Sequence, residues 1–430
     1  MFSSSRCSYA SLVVACLALT CSEASAQTLK VSSPVTDGFS VDGPQGKLTL
    51  DDKGNGLKTA DDAVELQIGG RLHVDFGDAG VRPASLSPAF TRNADVRRAW
   101  FEPTFTIQKD LVASLQYDFS NTSTPVNDAV ISYKGFGSTM LSVGNFKEPF
   151  SFEQLMYVNN LLFTERSLMD TLTPSRNFGF AVGTHGEKWT AVAGVFGGNI
   201  NSNIRQDGIA ATARVTYAPI LDASHLLHFG LAGSYRSLDR ARSNLSFDTT
   251  PEAFLYDTSL VDTGTLTDAS TVARHGLEAV YQTGPFRIQS EYTSTTVTYA
   301  TNASQNTFRG GYIEAAWVLN GDGRPYMLVP DDASSYAVFG GIKVPDEKRV
   351  THGGIGVFEL GFRVSALDLG DGTVQGGRQH DITAGLNWYP DRNLKIMLNY
   401  VHAEATPSAA SVTGQDVHSD IFIGRTQLYW

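Results

Sequence analysis

The feature that most constrains this chain is an alternation of apolar and polar residues, repeated in short segments over most of its length. In the segment from 95 to 107, for example, Ala99 and Phe105 share one side, whereas Arg98 and Glu102 share the other. A period of two residues predicts β-strands with one apolar and one polar face. Such a sheet either covers the core of a soluble sandwich or closes into a membrane barrel whose apolar face contacts lipid.

Two features favour the membrane barrel. One face stays compatible with lipid in nearly every segment, and aromatic residues such as Tyr217 and Trp388 fall near strand ends, as interfacial girdles require. The chain also ends in Trp430 on an alternating segment, the form of a barrel-assembly signal in bacteria. We therefore predict an all-β fold, a transmembrane antiparallel β-barrel of about sixteen strands with an inward-folded constriction loop.

The constriction loop is predicted where alternation stops, from about 147 to 177. A loop of this length is usually functional or disordered, and its many apolar residues argue against disorder. The inner wall of the barrel is the surface on which it would pack, so we expect it to narrow the lumen. Two further connections, at 239–270 and 320–346, are predicted to be polar loops.

The first 26 residues have the pattern of an export signal. Arg6 supplies a positive start, an apolar run extends from Leu12 to Leu19, and small residues end at Ala26. The apolar run is too short to span roughly 30 Å of hydrocarbon. We expect cleavage after Ala26, a periplasmic lead-in at 27–62, and a mature chain without disulfides, because all cysteines lie in the signal: Cys7, Cys16 and Cys21.

Composition and motifs exclude several function classes. The formal net charge is -11 and there is no basic stripe, which argues against a nucleic-acid partner. No nucleophile elbow, His-Glu-x-x-His motif or phosphate-cradling loop occurs, so we predict neither an enzyme nor a cofactor. A Ser–His pair of a barrel lipase is an alternative that the pattern leaves open. His225 and His228 are more typical of a solvated turn than of a metal site.

Five motifs, in order along the chain, resemble the phosphate-selective outer-membrane porins of the O and P type. They are Gly69–Asp75 (GGRLHVD), Val96–Ala99 (VRRA), Gly144–Phe150 (GNFKEPF), Gly356–Arg363 (GVFELGFR) with Leu367–Leu369 (LDL), and Gly385–Pro390 (GLNWYP). The resemblance implies a porin domain at 63–430, a homotrimer in the outer-membrane bilayer, and diffusion of inorganic phosphate or other small anions along an arginine-lined pore. Trp100 departs from the family pattern, which often has a further basic residue there.

Strand parity suggests which basic residues line such a pore. Arginine suits small oxyanions because its planar guanidinium forms paired hydrogen bonds and keeps its charge. Arg97 has outward parity, so it reaches the lumen only at a rim or across a β-bulge. The candidate anion-binding residues are Arg71, Arg98, Arg97, Lys134, Arg166, Arg214, Arg236, Arg287 and Arg363, with Arg176, Lys395 and Arg425 as further lumen or loop cations.

Other interpretations remain open at this point. The lumen arginines could simply pair with lumen carboxylates such as Asp75, Glu291 and Glu359, as in general-diffusion porins without phosphate selectivity. An alternative from another class is a soluble periplasmic β protein that binds polysaccharide.

Overall fold

The computed structural model describes residues 31–32, 40–43, 46–50, 56–59, 63–82, 93–202, 208–239, 244–329, 333–406, 408 and 415–430. Sixteen strands, each antiparallel to its neighbours, form a barrel that closes where the last strand pairs with the first. The predicted fold class is therefore confirmed. The expected signal segment, 1–26, lies outside the described residues.

The strands of the barrel are β1 Val64–Arg82, β2 Ala94–Ile107, β3 Leu111–Asp118, β4 Val126–Phe136, β5 Thr139–Lys147, β6 Arg176–His185, β7 Trp189–Phe196, β8 Ile209–Leu221, β9 His225–Ser237, β10 Ala269–Thr283, β11 Phe286–Tyr299, β12 Gln305–Val318, β13 Val357–Asp371, β14 Val374–Asp391, β15 Leu394–Thr406 and β16 Val417–Tyr429. Short strands precede them at Val31–Ser32, Ser40–Gly43, Gly46–Leu50 and Gly56–Thr59, and they pair in series up to β1.

The alternation of the sequence becomes an alternation between lipid and lumen. On β8, Tyr217 is 53% exposed on the outer wall, whereas the side chain of Arg214 is 1% exposed inside. Because the apolar face points outward and the polar face inward, the sheet has the arrangement of a barrel in lipid rather than of a soluble sandwich. In the part of the chain that the structure describes, no helix has the length and apolar character needed to cross a membrane.

The two ends of the barrel differ in their connections. Turns of two or three residues join strands at one end, at 108–110, 137–138, 186–188, 222–224, 284–285 and 392–393. Longer connections lie mostly at the other end. In bacterial barrels short turns face the periplasm and long loops face outward, so the short-turn end is the periplasmic end. Two connections break this pattern: 319–356 is long and starts at the short-turn end, and 372–373 is a two-residue turn at the other end.

Described parts of three connections pack inside the barrel. We call them together the inner loops, and separately the constriction loop (148–175), the second inner loop (238–268) and the returning segment (319–356). Their short elements are the helix α1 Phe152–Leu155, 3-10 helices at Val158–Asn160, Leu168–Leu172, Asp346–Lys348 and Val350–His352, and strand pairs Asp248–Thr249 with Val261–Asp262 and Tyr326–Met327 with Val338–Phe339.

Apolar side chains hold these connections in place. Leu172 of the constriction loop packs in one buried cluster with Tyr256 of the second inner loop. Leu155 packs in a second cluster with Phe339 of the returning segment. The connections at 239–270 and 320–346 are thus not simply polar, because many of their described apolar residues, scattered without a period, are buried in the lumen.

Candidate functional site

Most of the basic residues predicted to line the pore lie on the lumen face of their strands. Their side chains are largely buried by the inner loops and by neighbouring lumen residues. The exposed fractions are 6% for Arg71, 4% for Arg98, 1% for Arg214, 7% for Arg236, 2% for Arg287 and 1% for Arg363. Inward orientation follows from the period of two, whereas the depth of burial follows from the loops.

Arg97 reaches the lumen through a β-bulge. His73 pairs with Arg98 and Val74 pairs with Val96, so Arg97 is the additional residue on β2. Its Nε and Nη2 donate to the two carboxylate oxygens of Glu165 at 2.9 and 3.0 Å. Of the two routes considered for Arg97, a rim or a bulge, the structure has the bulge.

Glu165 of the constriction loop is the meeting point of three arginines. Arg425 Nη2 donates to Glu165 Oε1 at 2.6 Å, and Arg98 Nη2 lies 3.8 Å from Oε2. We call Arg97, Arg98 and Arg425 the arginine cluster. Burial alone would raise the pKa of Glu165, but the three guanidinium groups hold it well below its usual range. The carboxylate therefore stays ionised and occupies the position of an anion.

The open side of this cluster is formed by Glu165 and Arg97. Their side chains are 18% and 26% exposed, whereas that of Arg98 is 5% exposed. Arg425 is fully buried and also donates to Asp75, with Nη2 2.7 Å from Oδ2. The arginine cluster thus carries three positive charges against two carboxylates, Asp75 and Glu165.

Deeper arginines are neutralised by close carboxylates. Arg214 forms two hydrogen bonds with Glu278, at 2.7 and 2.8 Å, and also donates to carbonyl groups of the returning segment. Arg363 pairs with Glu252 of the second inner loop and with Glu153 of α1, the latter at 3.0 Å. The carbonyl contacts of Arg214 and the two ion pairs of Arg363 fasten the inner loops to the wall.

The remaining predicted cations have varied surroundings. Arg236 pairs with Glu148 at 2.6 Å, and Arg176 pairs with Asp128 at 2.8 Å. Arg166 does not extend freely into the lumen, because it donates to backbone carbonyls of its own loop at 3.1 to 3.4 Å. Lys134 lines a polar cavity of about 450 Å³ near the periplasmic end, where Glu102, Gln116, Asp128 and Ser334 also lie.

Three lumen arginines keep a buried guanidinium nitrogen without a hydrogen-bond partner among the described residues. These nitrogens are Arg71 Nη1, Arg98 Nη1 and Arg287 Nη2. Arg287 Nη2 lies 3.3 Å from Glu314, but its geometry is not that of a hydrogen bond. A buried, unpaired donor costs free energy, and an anion oxygen would satisfy it.

Trp100, where the family often has a basic residue, lies beneath two of the arginines. Its ring is 4.5 Å from the guanidinium carbon of Arg71 and 5.7 Å from that of Arg176. The indole therefore supplies a π face to cations at this level of the lumen. Arg71 is also paired with Glu102 through two hydrogen bonds.

Reasoning from sequence missed Glu252 and Arg324. Glu252 accepts hydrogen bonds from Arg363 and Thr383, and Arg324 pairs with Glu359 at 2.8 Å. For Glu252, the available signal was its position as a lone carboxylate in the apolar run from 251 to 255. The expectation for the histidine pair holds only in part, since His225 is exposed but His228 is buried against Tyr326.

Comparison with known proteins agrees with this architecture. The family described as phosphate-selective porin O and P matches residues 66–430. Porin O of Pseudomonas aeruginosa is 27% identical, over 94% of this chain and 97% of that protein. An uncharacterised protein of Caulobacter vibrioides is 25% identical, over 77% of this chain and 67% of that protein.

Solved structures share the fold at low sequence identity. The anion-selective porin from Comamonas acidovorans superposes with a TM-score of 0.52 at 10% identity, covering 85% of this chain and 100% of that chain. The outer membrane channel DcaP of Acinetobacter baumannii has a TM-score of 0.51 at 9% identity, covering 87% of this chain and 99% of that chain. With the closed sixteen-strand barrel, its inward constriction loop and a family match across residues 66–430, this chain belongs to the phosphate-selective porin O and P family of outer-membrane β-barrels.

Proposed function

We propose that this protein is a porin through which small anions, with inorganic phosphate as the leading candidate, diffuse past the arginine cluster. The observation that carries the proposal is the convergence of Arg97, Arg98 and Arg425 on one carboxylate of the constriction loop. The description of the family and the relationship to Porin O support the same function. We also propose that the channel is a homotrimer and that residues 1–26 are removed on export.

In this mechanism an entering anion exchanges its hydration shell for guanidinium donors. Arg98 is the leading contact, because its Nη1 is buried and unpaired beside the more exposed Arg97. Arg71 and Arg287 also keep an unpaired guanidinium nitrogen and provide further contacts. The neighbouring carboxylates keep each site moderate in strength, so an anion that enters can also leave.

A general-diffusion porin without phosphate selectivity is the second candidate. The pairing of Arg214, Arg236 and Arg363 with carboxylates favours it, because paired charges attract anions only weakly. The two candidates differ in whether phosphate binds within the lumen tightly enough to obstruct chloride.

Recording from the purified channel in a planar bilayer separates these candidates. Under a potassium chloride gradient we expect the sign of the reversal potential to indicate anion preference. We also expect added phosphate to reduce the chloride current. Arg98→Gln should weaken phosphate block about tenfold, which corresponds to about 1.4 kcal/mol for a charge-assisted contact.

The matched control is Arg378→Gln, because Arg378 is 65% exposed on the outer wall and should leave block unchanged. Cation preference would overturn the anion proposal altogether. Anion preference without phosphate block would favour the general-diffusion channel.

A further inference from the structure

A compact group of ligand-type side chains lies on the outer wall near the outward end of β15 and β16. His402 and Glu404 belong to β15, and His418 and Asp420 belong to β16. In the register of this antiparallel pair, His402 lies opposite Asp420 and Glu404 lies opposite His418. All four share the face of Phe422, which is 63% exposed, so they point away from the lumen.

The distances within the group suit a tetrahedral metal ion. His402 Nε2 lies 3.2 Å from Glu404 Oε1, and His418 Nδ1 lies 3.5 Å from the same oxygen. Ligands at 2.0 to 2.2 Å from zinc are separated by about 3.3 to 3.6 Å along a tetrahedral edge. One ligand atom from each of the three residues lies within 4.8 Å of the other two, so the third distance also approaches the length of such an edge.

Asp420 orients one of the imidazoles. Its Oδ1 lies 2.7 Å from His402 Nδ1 and accepts a hydrogen bond from the Tyr400 hydroxyl at 2.6 Å. A carboxylate on Nδ1 selects the tautomer that leaves the Nε2 lone pair free for a metal. This carboxylate–histidine arrangement distinguishes the group from a simple cluster of exposed acidic residues.

We propose that His402 Nε2, His418 Nδ1 and a Glu404 carboxylate oxygen bind one divalent transition metal of the zinc class. Asp420 is the positioning residue, and the fourth coordination position is left to water. A bound ion would link β15 to β16 beside the seam at which β16 pairs with β1. It would therefore oppose opening of the barrel at its outward end. This metal site is independent of the anion that the lumen conducts.

Zinc titration of the folded, tag-free protein in detergent, in competition with a chromophoric chelator, tests this site. We expect one zinc ion per wild-type chain. His402→Ala and His418→Ala should each remove the competing site, and Asp420→Asn should weaken it about tenfold, as loss of an outer-shell partner does. The control is His275→Ala, which removes an exposed outer-wall histidine on β10 and should leave zinc binding unchanged.

Two further measurements do not depend on the alanine variants folding. Cobalt(II) bound to the wild type should show the intense visible absorption of tetrahedral coordination. Zinc should also raise the temperature at which the wild-type barrel loses its heat-modifiable gel mobility, but not that of Glu404→Gln. A wild type that binds no zinc, or zinc binding that is equal in the wild type, His402→Ala and His418→Ala, would overturn the proposal.

Discussion

Arg97 and Glu165 form an ion pair with two hydrogen bonds, at 2.9 and 3.0 Å, that joins a bulge in the barrel wall to the constriction loop. The bulge turns an arginine of outward parity into the lumen. Glu165 is an acceptor held by the chain itself. It accepts from Arg97 and Arg425, and it lies beside the guanidinium of Arg98, whose Nη1 is the contact proposed for a permeating anion. Anion affinity in this lumen should therefore depend on competition with Glu165.

The first prediction concerns Glu165→Gln. Neutralising this carboxylate leaves the arginine cluster with Asp75 as its remaining close acid, so phosphate should block chloride current about tenfold more strongly. Bilayer recording measures the concentration for half block. Asp222→Asn, which changes an exposed carboxylate of a periplasmic turn, should have no effect. An unchanged or weaker block in Glu165→Gln would contradict the competition.

The second prediction concerns pH. Because the arginine cluster holds the pKa of Glu165 well below its usual value of 4.5, Glu165 stays charged throughout the range from pH 8 to pH 5. The ion pairs of the charged Glu165 stabilise the folded barrel above the ordinary glutamate pKa, and this stabilisation is lost only as the pH falls through the lowered pKa. The charge of the arginine cluster and its acids is therefore the same from pH 8 to pH 5. Chloride block by sulfate, an anion that does not titrate in this range, should therefore be constant. A step in block centred near pH 6 would show that another group controls the site.

The third prediction concerns the buried pair of Arg363 and Glu252. Glu252→Ala leaves the fully buried guanidinium of Arg363 with fewer acceptors, which should lower the free energy of unfolding by about 3 to 5 kcal/mol. Denaturant titration of the folded barrel measures this change. Asp257→Ala, an exposed carboxylate of the same loop, is the control and should be nearly neutral. Equal stability of the two variants would contradict the anchoring role of Glu252.

The fourth prediction concerns Gly70, which packs beneath the C-terminal Trp430. A Cβ at Gly70 would overlap ring atoms of Trp430 and come within 2.9 Å of the Trp100 carbonyl oxygen. Gly70→Ala should therefore displace the terminal aromatic residue and reduce the yield of heat-modifiable barrel on refolding. Gly80→Ala on the same strand, where a Cβ meets nothing within 4 Å, should refold as the wild type does.

The barrel itself was predictable because the alternation that defines its strands can be read from residues that are neighbours in the sequence. Alternation places Arg214 inside and Tyr217 outside, and the same period of two recurs in strand after strand. The parity of Arg97 led to the correct pair of options, a rim or a bulge, but could not choose between them. That choice depends on the pairing of β1 with β2, where His73 meets Arg98 and Val74 meets Val96.

The sequence by itself thus determined the closed sheet, the direction of most lumen arginines and the existence of an irregular loop near 147–177. Tertiary structure alone decided which acid neutralises each arginine, because Glu252 and Arg363 are brought together from positions 111 residues apart. It likewise placed His402 beside His418 across two strands. Strand parity depends on neighbouring residues, whereas charge pairing and ligand geometry depend on register and on loops whose apolar residues follow no period.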